Sequence, residues 1–324
     1  MTPPGGARRV LARLLTQIEN GDALAQATVA AAHLSAGRAH VVGITGAPGT
    51  GKSTLISALA RAWRATGATV AILSIDPSSP LTGGAILGDR IRMRELSGDA
   101  GVFIRSMAGR GAQGGIAAAA ADACAVLDAH GFDIVLVETI GAGQSETEVA
   151  RLAHTVVLVE APGMGDDVQA IKAGIVEIAD IIVVNKSDRP GAEQTVSALR
   201  AALDLAPRTL GHHGDAVAGQ PETHDASAPE DWPVLVLQTT ATQSEGIPAL
   251  IERIGAHRIW LAASVQGAQR LARRSRDEIV FRLREYLFRR AKASLAEGEL
   301  EALAARVAAR ELTADDAARM IAER

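Results

Sequence analysis

Gly46-Ala47-Pro48-Gly49-Thr50-Gly51-Lys52-Ser53 satisfies the pattern G-x-x-x-x-G-K-[ST], the loop that wraps a phosphate chain in backbone N–H groups. An apolar run, Val41, Val42, Gly43 and Ile44, precedes it, and a helical pattern from Thr54 to Ala65 follows. That is the strand–loop–helix setting the motif needs. Glycines at 46, 49 and 51 let the backbone approach an anion and take conformations a side chain forbids, and the helix start adds a favourable dipole. Lys52 supplies a cation for the β- and γ-phosphates, while the Ser53 hydroxyl is a ligand for Mg²⁺. The phosphate-binding stretch therefore runs from Gly46 to Thr54.

Working outward, Ile181-Ile182-Val183-Val184 leads into Asn185-Lys186-Ser187-Asp188, an N-K-x-D at the end of a strand. The Asp188 carboxylate can accept from both N–H donors on the pairing edge of guanine, a pair that adenine cannot present. Asn185 and the Lys186 stem brace the base and its loop. Alone, this tetrapeptide reads as a polar turn; behind a phosphate loop, it reads as guanine selection. Thr240-Ala241-Thr242 follows a further strand, 233–238, where a backbone amide can meet the guanine carbonyl.

Acidic residues stand at the ends of other strands. Strand 69–75 runs into Asp76-Pro77, and Asp89 follows in Thr82–Arg90. Carboxyl ends of strands face the ligand crevice in open parallel sheets, so Asp76 and Asp89 are candidate ligands of a nucleotide-bound Mg²⁺, which favours oxygen donors. Equally, Asp76 starts a turn and Asp89 caps a helix. Strand 133–138 ends at Glu138-Thr139-Ile140-Gly141-Ala142-Gly143-Gln144. There Glu138 takes the acid's place in a D-x-x-G-like switch, and Gly141 offers its N–H to a γ-phosphate. Gln144 is a candidate for positioning water, against the plainer reading of a solvated loop residue. Gly109–Gly115 and Ala161–Asp167 are glycine-rich and read as tight loops or as mobile ones.

The remaining composition bounds the class. The chain has 324 residues, a formal net charge of −4 and 2% aromatic residues, which points away from nucleic acid. Its single cysteine, Cys124, lies in the alanine-rich helix pattern 117–129 and reads as a buried, inert thiol. No apolar run reaches the roughly 20 residues needed to span a bilayer, and Met1–Gly6 does not resemble a secretion signal; the expectation is a cytoplasmic protein without membrane contact. Seven strands are expected, at 41–45, 69–75, 101–105, 133–138, 155–159, 180–185 and 233–238. Their continuous β-branched runs imply an α/β fold with a mostly parallel sheet covered on both faces. The expected domains are an N-terminal helical segment, 1–39, a P-loop domain, 40–262, and a C-terminal helical extension, 263–324. Gly298 and Thr313 mark breaks between the last helices, and residues 206–232 read as an inserted loop.

Together these residues resemble the MeaB/MMAA/ArgK family of guanine-nucleotide-binding proteins, chaperones of adenosylcobalamin-dependent acyl-CoA mutases. The likeness rests on Gly46–Thr54, Asp76–Ser79, Thr82–Arg90, Val137–Glu146, Gly165–Lys172 and Asn185–Asp188, with Ser244–Ile247 as a looser extension. It implies that Asp76, Asp89 and Glu138 join Lys52 and Ser53 in a Mg²⁺ and GTP-hydrolysis centre. It also implies that Ala161–Lys172, with Gly165, Asp166 and Lys172, is a further switch. A homodimer through the C-terminal helices is implied too, with methylmalonyl-CoA mutase as the leading partner and a cobalamin adenosyltransferase as cofactor donor. Adenosylcobalamin would belong to the mutase. Two rival readings are a nickel metallochaperone, which would draw on His212, His213, His224 and Cys124, and a transport-linked protein kinase.

Overall fold

The computed structural model describes residues 5–76, 93–96, 98–108, 115–139, 145–163, 178–205 and 232–323. The chain divides into two compact units that meet between Ala272 and Arg273.

The first unit is built on seven strands: β1 (His40–Thr45), β2 (Val70–Asp76), β3 (Val102–Ala108), β4 (Ile134–Thr139), β5 (Thr155–Glu160), β6 (Ile181–Asn185) and β7 (Leu235–Thr239). They lie in the order β3-β2-β4-β1-β5-β6-β7, and every pairing is parallel. All seven expected strands are present, with no end displaced by more than three residues. Helices α1 (Gly5–Asn20), α2 (Ala23–Ser35), α3 (Lys52–Ala65), α4 (Gly115–Ala129), α5 (Ser145–Leu152), α6 (Ala192–Leu205) and α7 (Ile247–Ala263) surround the sheet. Helix α3 starts two residues before the sequence expectation, because Gly51 takes a left-handed conformation (φ 94°) and turns the chain directly into the helix.

Alternation along the strands divides the core. Val41, Leu73, Val135 and Val137 face α1, α2, α4 and α5, whereas Val42, Ile72, Ile134 and Leu136 face α3 and α7. Because both faces are covered, the strands carry apolar residues at successive positions rather than at alternate ones. Cys124 is buried in the first layer. Helix α1 also covers the edge strand β3: Arg105 on β3 donates to Glu19 at 2.5 Å and to Thr16 Oγ1 at 3.2 Å, and Arg8 donates to the Val102 carbonyl. These contacts tie α1 to the edge strand.

Strand β1 is central, flanked by β4 and β5. The chain leaves β1 through α3 toward β2 and later crosses β1 to reach β5. Such a reversal opens a crevice at the carboxyl ends of the strands, and the loop after β1 stands there.

The second unit contains most of α8 (Val265–Ala293), then α9 (Glu299–Ala308) and α10 (Ala314–Ala322). The breaks fall where the sequence places them: Gly298 precedes α9 with a φ of 76°, and Thr313 caps α10 by accepting from the Asp316 N–H. Ile279, Leu283, Leu287 and Phe288 on α8 are exposed. Among the described residues, no helix is long and apolar enough to cross a membrane.

Candidate nucleotide site

The loop between β1 and α3 closes on itself and on three other segments. Lys52 is 8% exposed, and its ammonium donates to the carbonyls of Gly46 at 2.8 Å and Ala47 at 3.1 Å. This holds the cation inside the ring of backbone at the N-terminus of α3, where positive potential gathers for an anion. Gly46 has a φ of 136°, and a Cβ there would collide with the Val159 carbonyl on β5. No other residue type fits that approach.

Ser53 Oγ donates to Glu138 Oε1 at 2.7 Å. Glu138 is 2% exposed and pairs in register with both Ile44 on β1 and Ser74 on β2. The hydroxyl of α3 and the carboxylate of β4 therefore meet at the carboxyl edge. Both are hard oxygen donors, so the set fits Mg²⁺. Asp76 is the last residue of β2, with its backbone level with Ala108 of β3, so it reaches the same edge. Asp89, Gly141, Gln144, Gly165, Asp166 and Lys172 lie outside the described residues.

The base-selecting turn is tied to the phosphate loop through Asn185. Its Nδ2 donates to the Thr50 carbonyl at 2.9 Å, while its Oδ1 accepts from Thr239 Oγ1 at 3.1 Å and from the Ala241 N–H at 3.2 Å. Those partners admit one orientation of the amide, since a flip would set donor against donor and acceptor against acceptor. Lys186 has a φ of 57° and reaches back with its Nζ to the Gly49 carbonyl at 2.6 Å. Ser187 donates its N–H to the Thr239 carbonyl at 3.0 Å, and its hydroxyl lies 3.1 Å from Thr240 Oγ1. Thr240 in turn bridges to Glu245. The exposed carboxylate of Asp188 stands at the end of this braced turn.

Thr240 and Ala241 are thus brought against Asn185–Ser187, whereas Thr242 is exposed. Sequence reasoning missed Thr239 and Ser187. Nothing in the spacing separates Thr239 from Thr240, and only the pairing of β6 with β7 brings Thr239 level with Asn185.

This arrangement, a phosphate loop braced by a guanine-type turn, agrees with comparisons to known proteins. Residues 11–296 match the family model described as methylmalonyl Co-A mutase-associated GTPase MeaB. The chain belongs to the MeaB family. A putative GTPase of Pyrococcus abyssi is 44% identical over 98% of this chain and 92% of its own length. The GTPase ArgK of Escherichia coli is 42% identical over 56% of each chain. Among solved structures, one titled LAO/AO transport system kinase covers 98% of this chain and 93% of its own, with a TM-score of 0.66 and 26% identity. This MeaB-family chain is a GTPase with the P-loop fold.

Proposed function

We propose that this GTPase is a conformational chaperone of an adenosylcobalamin-dependent acyl-CoA mutase, methylmalonyl-CoA mutase being the leading partner. It would gate loading of the cofactor and protect or reactivate the enzyme. The observation that carries the reading is the match of residues 11–296 to a family named for its association with that mutase. Adenosylcobalamin belongs to the mutase, and a cobalamin adenosyltransferase is the donor that fits such a cycle. The second unit is proposed to form a homodimer.

The proposed residue roles draw on the contacts of the described residues and, for the rest, on the family resemblance. Asp188 selects guanine, and Asn185 and Lys186 transmit the position of the base-binding turn to the phosphate loop through Thr50 and Gly49. Lys52 and the N-terminus of α3 bind the phosphates. Ser53 and Glu138 would hold Mg²⁺, with Asp76 and Asp89 as further carboxylates. A bound Mg²⁺ would neutralise charge on the β- and γ-phosphates. Gly141 and the segment carrying Gly165, Asp166 and Lys172 are proposed to respond to the γ-phosphate, and Gln144 to position water. Hydrolysis then changes the state of these segments, and that change is the product.

The test is GTP turnover with and without candidate cobalamin mutases. A partner that orders the switches raises the rate by positioning groups for phosphoryl transfer. If no mutase in the screen changes either turnover or nucleotide affinity, the chaperone reading fails. The nickel reading would draw on Cys124, which is buried, and on His212, His213 and His224, which lie outside the described residues; the N-K-x-D turn favours GTP over the ATP of a kinase.

A further inference from the structure

At the N-terminal edge of the sheet, opposite the phosphate loop, lies a buried polar cluster that nucleotide chemistry does not use. It joins His40 at the start of β1, Thr155 at the start of β5, Asp180 just before β6, His257 on α7 and Arg270 near the start of α8. His40, Thr155, Asp180 and His257 are all at most 3% exposed. Asp180 is the hub. One carboxylate oxygen accepts from the Val156 N–H at 2.8 Å, and the other lies 2.6 Å from Arg270 Nη1. The Asp180 carbonyl accepts from Trp232 Nε1 at 2.9 Å.

The charge on Asp180 sets the direction of every bond beyond it. His257 Nε2 is 3.5 Å from Asp180 Oδ1. A lone pair facing an ionised carboxylate would be repelled, so Nε2 carries the proton and Nδ1 becomes an acceptor. The Thr155 hydroxyl, 2.7 Å away, then donates to His257 Nδ1. Its oxygen in turn accepts from His40 Nε2 at 2.8 Å. An ionised Asp180 thus favours one tautomer of each imidazole and pairs with one guanidinium.

We infer that Asp180 is a proton-operated latch on the root of α8: ionised, it holds Arg270 against the edge of the sheet, and protonated, it lets Arg270 go. The asymmetry of the pair supports release rather than collapse. The Arg270 side chain is 42% exposed and can turn to water, whereas that of Asp180 is 2% exposed and cannot. A charge-assisted hydrogen bond is about twice as strong as a neutral one, so proton uptake removes much of the hold. Among the described residues, the other titratable groups around Asp180 are bases: Arg270 on α8, His257 and Arg253 on α7, His40 on β1, and His154, which stacks on His40 at 5.6 Å. Burial pushes the Asp180 carboxyl up to about 6, against the pull of Arg270 and the Val156 N–H. Burial, together with Arg270 and other nearby bases, pushes His257 down to about 2. The proton therefore goes to the carboxylate.

Hydrogen exchange of the full-length protein tests this. Protection of residues 265–272 would be followed from about pH 8 to about pH 5, spanning the carboxyl's value of about 6, with intrinsic exchange rates divided out. The latch predicts that protection falls about tenfold through a one-proton step, the effect of losing one charged hydrogen bond, while the amides of β1 hold theirs. Asp180→Asn should give low protection throughout, without the step. Arg270→Gln, at the solvent end of the pair, should do the same and guards against a misfolded Asp180 variant. Wild-type protection that does not change with pH would overturn the latch. So would a step that persists in Arg270→Gln.

Discussion

Asp188 stands exposed at the tip of a turn whose other residues are spent on bracing, so its carboxylate is available for a base. In Asp188→Asn, an amide N–H replaces one acceptor and meets a guanine donor. The mismatch should cost about 1–3 kcal/mol in GDP affinity and turn preference toward xanthine nucleotides, whose edge offers a matching acceptor. Competition between GDP and XDP measures this directly, and unchanged preference would remove Asp188 from base selection. Glu138→Ala makes a contrasting prediction: guanine affinity is retained while Mg²⁺-dependent hydrolysis drops, read as a loss of turnover at saturating GTP. The buried pair at the opposite edge gives a pH prediction whose two parts oppose each other. Asp180 is raised to about 6, so its contribution to stability is complete below its ordinary value of 3.8 and is lost as pH rises through about 6. His257 is lowered to about 2, so its contribution is present above 6.5 and is lost as pH falls toward 2. Between those ordinary values the slopes largely cancel, each being up to about 1.4 kcal/mol per pH unit. Asp180→Asn should therefore leave the His257 slope exposed, with melting temperature falling more steeply than wild type from about pH 6.5 to pH 4.

At the scale of elements, α3 joins the phosphate loop to the core. Leu55, Ile56 and Leu59 are completely buried against β1, β2 and β4. Leu59→Ala should cost about 2–5 kcal/mol, in the range for large-to-small core changes, and chemical denaturation would measure it. A cost well under about 1 kcal/mol would mean that the neighbouring side chains close the gap. The elements themselves were legible in the sequence because each declares itself locally. Val41–Ile44 and Ile181–Val184 are continuous β-branched or apolar runs, and Gly298 and Thr313 are helix boundaries readable from a few residues. Lys52, Ser53, Glu138 and Asn185 were legible for the same reason, since each sits at a motif beside a strand end. The groups that were not legible depend on distant pairing. Thr239 matters through Asn185, 54 positions away. The hydrogen bonds joining His40 to Thr155 and Thr155 to His257 span 115 and 102 positions. Composition and periodicity carry no register between β1, β5 and α7, so a histidine opening a strand gives no sign of its partner.

For the whole molecule, the C-terminal helices pose a question that two truncations can separate. The compact units meet between Ala272 and Arg273, ten residues beyond the boundary the sequence suggests at 262. The difference matters because Arg270 lies between the two cuts and pairs with Asp180. A chain ending at Ala272 keeps the pair and all the nucleotide-binding residues, so it should bind GDP as the full chain does. If the second unit forms the proposed homodimer, light scattering should give a dimer for the full chain and a monomer for this shorter one. A chain ending at Ala262 loses Arg270 and leaves Asp180 buried without its cation. Breaking a buried pair from one side typically costs about 3–5 kcal/mol, with the lower end apt here because the Arg270 side chain is 42% exposed and its charge is screened. The cost applies only to the ionised carboxylate. Below about pH 6, where Asp180 takes up a proton, the two truncations should therefore converge in melting temperature, while above it the shorter chain melts lower. A gap of the same size on both sides of that pH would mean that the lost packing of residues 263–272, and not the buried charge, sets the difference.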